Sequence, residues 1–281
     1  MLRAVSAAAA LVLAGVGVAW AAAEARHPEE YKFSFESPVG SYDMAAVQRG
    51  FQIYNQVCSN CHSMNHLAYR HLGEEGGPFA LYMVQNEETH EMEPHVGKPE
   101  HGGTFVEVTD NPYVRAIAAS HMITDIDPIS GQPADRPGRI SDHFRRPYPN
   151  EIAARASNGG AAPPDLSVIT SARHGGARYV RSLLMGYTGG GEGTLHDNPY
   201  FPGGRLAMPP PLADGAVPYS DPETPQTVEQ YATDVATFLQ WASDPHMEQR
   251  KRLGIVVLAF LVALAGLLYL SYKQVWRGEA H

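Results

Sequence analysis

Cysteine is nearly absent from this chain: 281 residues contain two, Cys58 and Cys61. Neither is left over for a disulfide between distant segments, and two thiols are too few for a four-cysteine zinc site. Positive charge is also scarce. From Glu24 to Arg250 there are 16 Lys and Arg against 29 Asp and Glu, a net charge of −13. That balance argues against a nucleic-acid or anionic-lipid surface, and it suits a basic protein partner or plain solubility. The chain has no internal repeat, no Gly-rich phosphate loop and no Ser/His/Asp catalytic order. With 27 Gly and 22 Pro, much loop is expected and few long regular elements ahead of the C-terminal region.

Long apolar runs occur only near the two ends. Residues 1–23 carry one early base, Arg3, an apolar run from Ala4 to Ala19, and small-residue patterns around Ala19, Ala21 and Ala23. This reads as a secretory signal peptide. Leu253 to Tyr272 holds no charge over 20 residues, the length a helix needs to cross a hydrocarbon core. Tyr269, Tyr272 and Trp276 stand where an aromatic belt would lie. Basic residues flank both ends of this run, so the signal peptide sets the orientation. The expected layout is an exported (periplasmic) body at 24–250, a transmembrane helix at 251–273 in contact with membrane lipid, and a cytoplasmic tail at 274–281, in a bacterial inner membrane.

The two cysteines sit in Cys58-Ser59-Asn60-Cys61-His62. C-x-x-C-H is the attachment signature of c-type haem. Two thiols one turn apart reach two vinyl groups on one porphyrin side, and the adjacent imidazole reaches the iron. A redox C-x-x-C would need a βαβ context that is not visible here, and a disulfide would leave His62 without a role. Ahead of the motif, Val47, Phe51, Tyr54 and Val57 recur at helical spacing. Met44 to Val57 is therefore expected to be an amphipathic helix entering the attachment site, as in class I c-type cytochromes.

A carrier haem needs a second axial ligand. Met83, Met122 and Met185 read as core filler, Met64 and His66 lie too near His62, and His90, His95 and His101 lie in a polar stretch. Met208 is followed by Pro209, Pro210 and Pro211, a stiff extended run able to hold one side chain against a flat cofactor. It is the first choice on the residues alone, with a histidine as the alternative.

Further helices are expected at Asn111–Met122, Glu151–Ala156, Ala177–Tyr187 and from Pro225 to Ala242, with a helix start at Pro163–Ser167 capped by Asp165. Glu74–Asp110 reads as a surface excursion and Asp125–Arg146 as turns. The fold class is mainly α with long loops, a class I cytochrome c-like haem domain plus one C-terminal transmembrane helix.

Several strings together resemble the cytochrome c1 family, the haem c subunits of quinol–cytochrome c reductase (cytochrome bc1) complexes. They are RGFQIY at 49–54 leading into the motif, RPYPN at 146–150, APPDLS at 162–167, ARHGG at 172–176 with Tyr179, NPYFPG at 198–203, AMPP at 207–210, and FLQWA at 238–242. The resemblance implies one covalently attached haem c on Cys58 and Cys61, with His62 and Met208 on the iron. It implies Arg173 at a haem propionate, Tyr179 nearby, and Pro163 and Pro164 lining the crevice. Its implied partners are cytochrome b, the Rieske iron–sulfur protein as donor and soluble cytochrome c as acceptor, making this subunit an electron carrier that does not itself oxidise quinol. The runner-up is another membrane-anchored monohaem cytochrome c, and a haem peroxidase or sensor is disfavoured by the available Met ligand. Residues 74–139 match no family segment closely.

Overall fold

The computed structural model describes residues 25–99 and 102–278, so the expected signal peptide, His101 and the last residues of the tail lie outside the described residues. Its organising contact is a crossing of two helices, α1 (Met44–Gln56) and α6 (Val228–Ser243). Asp43 caps α1 by accepting from the Ala46 N–H, and Thr227 caps α6 by accepting from Gln230, so α6 opens at Val228 rather than at Pro225.

The crossing is close because Gly50 lies at its centre. A Cβ there would stand 2.1 Å from the Asp234 carbonyl oxygen. Around that point Phe51 packs edge-on to Phe238 at 5.7 Å, and Tyr54 and Phe238 lie 5.6 Å apart. Phe144 and Trp241 extend the cluster. Each such ring contributes about 1.5–3 kcal/mol by leaving water. One polar lock joins the two helices: Arg49 donates twice to the fully buried Asp234, at 2.9 and 3.0 Å, and Tyr219 and Gln230 also donate to that carboxylate. A buried carboxylate is tolerable only with such partners.

Three short helices and a longer one complete the helical set: α2 (Pro112–Ala119), α3 (Glu151–Ser157), α4 (Ile169–Ala172) and α5 (Gly176–Met185). Helix α5 packs on α6, and the buried Arg181 of α5 is held by Thr233 and Glu229 of α6. Expectation and structure agree for α1, α2, α3, α5 and α6 to within a few residues, with Tyr187 falling outside α5. They part at 163–167, which is extended; the helix there starts only at Ile169. Asp165 is not the cap of that helix: one oxygen accepts from the Ser167 N–H, two residues short of the helix start, and the other is taken up by Ser63 and Asn65.

Among the described residues, eight short strands form three small antiparallel sheets. Strands β1 (Leu81–Gln85), β2 (Met92–Val96) and β3 (Thr104–Phe105) run in the order β2-β1-β3, with Tyr82 opposite both His95 and Phe105. Strands β4 (Met122–Ile126) and β5 (Pro133–Pro137) make a hairpin. Strands β6 (Gly191–Glu192), β7 (Leu195–Asp197) and β8 (Arg205–Leu206) form the third sheet. The 74–110 excursion is thus rooted, with Ala80, Leu81 and Tyr82 buried, while β2 projects. Met122 is 50% exposed on the hairpin rather than a core residue, because β4 has no layer packed over it. Helix α7 (Met247–Val275) leaves the body and exposes its apolar run. It is long and apolar enough to cross a membrane.

Candidate functional site

Helix α1 ends at Gln56 and tightens into a turn. The backbone N–H of Val57 still donates to Ile53, and then both Cys61 and His62 donate to the Cys58 carbonyl, at 3.1 and 2.9 Å. Ser59 and Asn60 donate back to Asn55 and Gln56 and satisfy the open end of the helix. The local sequence thus converts the C-x-x-C spacing into two half-buried thiols one tight turn apart. Burial pushes the Cys58 thiol up to about 12.

The extended segment 163–167 runs beside the motif and fastens to it. His62 Nδ1 lies 2.8 Å from the Pro164 carbonyl oxygen. The Leu166 N–H donates to Ser63 O at 2.9 Å. Asp165 accepts from Ser63 Oγ and from the Asn65 N–H, both at 2.8 Å, and from the Ser167 N–H. Ser167 Oγ accepts from the His66 N–H at 3.1 Å. Burial pushes the Asp165 carboxyl up, but these donors outweigh it and hold the group below the usual carboxylate range.

The consequence falls on His62. Burial lowers its pKa against the opposing pull of the Pro164 carbonyl and Asp165, so the imidazole is neutral near pH 7. A carbonyl accepts only, so Nδ1 carries the proton and donates to Pro164. Nε2 is left with a free lone pair, the form that binds a metal.

Beside the turn lies a cleft of about 320 Å³ bordered by Cys61, Asn65, Arg146, Tyr148, Ala162 and Pro163. Asn65 Oδ1 is buried without a partner. Two thiols, one tautomer-fixed imidazole and an adjoining cleft fit a covalently held haem. Among the described residues no group of three His, Cys, Asp or Glu side chains gathers as a site for a bare metal ion.

Cys58, Cys61, His62, Pro163 and Pro164 are therefore brought together. Met208, Arg173 and Tyr179 are fixed by other elements. Met208 follows β8, half-buried, and its carbonyl accepts from the Tyr187 hydroxyl at 3.1 Å. Arg173 is exposed at the end of α4. Tyr179 is half-buried on α5; burial raises its pKa and the nearby Arg173 guanidinium opposes that. Sequence reading missed the clamp formed by Ser63, Asn65 and Ser167, and missed Tyr187 behind Met208. The polar run from Asp165 to Ser167 was the available signal for the clamp.

A profile of the cytochrome c1 family matches residues 33–279. The chain belongs to the cytochrome c1 family. It is 41% identical to a mitochondrial cytochrome c1 heme protein of Solanum tuberosum over 270 residues, covering 93% of this chain and 91% of that one. It is 38% identical to the cytochrome c1 heme protein of Saccharomyces cerevisiae over 265 residues, covering 92% and 75%. It is 40% identical to a cytochrome b/c1 protein of Bradyrhizobium diazoefficiens, covering 96% of this chain but spanning only 38% of that protein's length. Membership extends through the strand-bearing region 81–137, which as a sequence matched no family string closely.

Proposed function

We propose that this chain is the haem c subunit of a quinol–cytochrome c reductase, accepting one electron from a Rieske iron–sulfur protein and passing it to a soluble cytochrome c. The observation that carries the reading is His62, with Nδ1 2.8 Å from the Pro164 carbonyl oxygen beside two thiols one turn apart, in a member of the cytochrome c1 family. One covalently attached haem c supplies a one-electron iron couple. Cys58 and Cys61 bind it as thioethers and His62 offers Nε2 to the iron. Met208, whose carbonyl accepts from the Tyr187 hydroxyl, would hold the iron through its thioether as the second protein ligand, and a His/Met pair would raise the potential. Arg173 suits a propionate because its planar fork matches a carboxylate, and Tyr179 stands next to it. Pro163 and Pro164 wall the crevice and exclude water.

In this reading cytochrome b is the membrane neighbour, the apolar run of α7 is the membrane span, and the body faces the periplasm of a bacterial inner membrane. The −13 body steers a basic acceptor, an effect on association rate that salt screens. Purification in mild detergent from native membranes is the test. Recovery of b-type haem and a Rieske cluster with quinol-driven cytochrome c reduction is the expected result. A haem-loaded chain that arrives alone and is inactive with quinol overturns it in favour of a freestanding anchored cytochrome c.

A further inference from the structure

Where α6 gives way to α7, a second polar cluster joins the body to the apolar helix. Lys251 Nζ donates to three backbone carbonyls of one turn: Phe35 at 2.5 Å, Ser37 at 2.8 Å and Gly40 at 3.3 Å. An ammonium has three donors and no acceptor, so this turn satisfies it completely. A lysine at the mouth of a membrane helix ordinarily extends toward the lipid interface. Here the body's own backbone takes the charge, and the next residue, Arg252, is the one left exposed. The turn is itself fixed, since a Cβ on Gly40 would stand 2.3 Å from Ser34 O.

Neighbouring contacts repeat the pattern. The Tyr42 N–H donates to Glu248 Oε1 at 2.9 Å, and the Tyr42 hydroxyl reaches the carbonyls of Gln240 and Asp244 at 3.2 and 3.0 Å. Met247 in the first turn of α7 is 4% exposed and belongs to the core of the body. From there α7 runs through Val275 without a proline. Proline is the commonest cause of a sharp kink, so the first turn of α7 is core of the body and the rest is one rod attached to it.

We infer that Lys251 is a positioning residue that locks the haem-bearing body to the membrane helix in one orientation, so that the haem is presented to its membrane-bound neighbours at a fixed height and angle. Without the lock, the rod beyond the first turn of α7 would swing against the body and the distances that govern electron transfer would spread. The inference rests on the haem reading only for its functional consequence, because the lock is a contact between protein groups.

The test uses the full chain in lipid bilayers, spin-labelled through Ile152→Cys on α3 and Val275→Cys at the far end of α7, both exposed. Pulsed dipolar spectroscopy of this labelled pair is expected to give one narrow distance. Adding Lys251→Met, which keeps the apolar stem and removes the donors, should replace it with a broad distribution while haem absorption stays unchanged. If Lys251→Met does not accumulate, Lys251→Gln is measured by the same criterion. A distribution as narrow as that of the labelled parent overturns the inference. Labelling at Cys58 or Cys61, by contrast, would contradict the haem reading and leave the lock to be judged on the distances alone. In the assembled complex the lysine variant should lose quinol-driven turnover with its haem midpoint potential unmoved; a shifted potential would mean that Lys251 acts on the haem site instead.

Discussion

The helical core and the strand-bearing region 81–137 differ in how they are held. In the core, α1 and α6 cross with no room for a side chain at Gly50, and the buried Asp234 takes four donated hydrogen bonds. At the β4–β5 hairpin Arg136 pairs with the exposed Asp125 and with the half-buried Asp142, which follows the hairpin, at 2.6–2.9 Å, and neither carboxylate is fully enclosed as Asp234 is. Ile129 at the hairpin tip is 95% exposed. The same residue chemistry thus has different weight in the two places, because Asp234 is fully buried whereas Asp125 is open to water and Asp142 partly so. The motif turn hangs from the rigid region, and the site inherits its precision from the α1–α6 crossing.

That contrast breaks most completely at the attachment turn. Cys58→Ala with Cys61→Ala should abolish covalent haem, seen as loss of haem staining on a denaturing gel. Retained stain would remove the basis of the whole account. Next in size is the core lock: Asp234→Ala leaves Arg49 partly buried without its partner and should cost about 3–5 kcal/mol in chemical unfolding. Gly50→Ala should follow at about 1–3 kcal/mol by forcing the helices apart.

A smaller and more local effect is expected from Asp165→Ala, which frees Ser63 and the Asn65 N–H and loosens the clamp on His62. Haem should stay attached, with its midpoint potential displaced and its ferric spectrum heterogeneous; an unchanged potential would show that the Pro164 carbonyl alone suffices. The sign of the pH effect follows from the depressed Asp165 carboxyl. Its contribution is fully present above the ordinary aspartate value and is lost as pH falls through the lower folded value. In acid titration the parent should therefore lose stability relative to Asp165→Ala. Least affected should be the hairpin: Arg136→Ala is expected to leave the haem spectrum and thermal midpoint within error, and a large drop would mean that the hairpin supports the site.

Much of the core was legible because it obeys simple periods. Val47, Phe51, Tyr54 and Val57 announce α1, and the uncharged run from Leu253 to Tyr272 announces the exposed rod. C-x-x-C-H names its chemistry because two thiols and an adjacent imidazole at that spacing are the attachment signature of c-type haem. The clamp was not legible. Asp165 has the local signature of a helix cap, but besides the nearby Ser167 N–H its donors come from Ser63 and Asn65, about a hundred residues earlier, and no local pattern encodes a contact so distant. Strands β1 to β5 were hidden for another reason. They are short, β2 and β5 carry prolines and charges, and the connections between them are polar, so the region reads as loop; only Ala80 to Tyr82 form a buried run, too short to reveal a sheet. Met122 misleads in the opposite sense, an apolar residue among apolar neighbours that ends on an uncovered hairpin.

The most direct test of the account is rapid-mixing spectroscopy of the purified native complex, following the haem c of this chain after quinol is added and then after oxidised cytochrome c is added. The account predicts that this haem is reduced by quinol and reoxidised by cytochrome c at rates at least matching steady-state turnover. If cytochrome c is reduced while the haem c stays oxidised or reacts more slowly than turnover, the electron does not pass through this chain and the account is wrong.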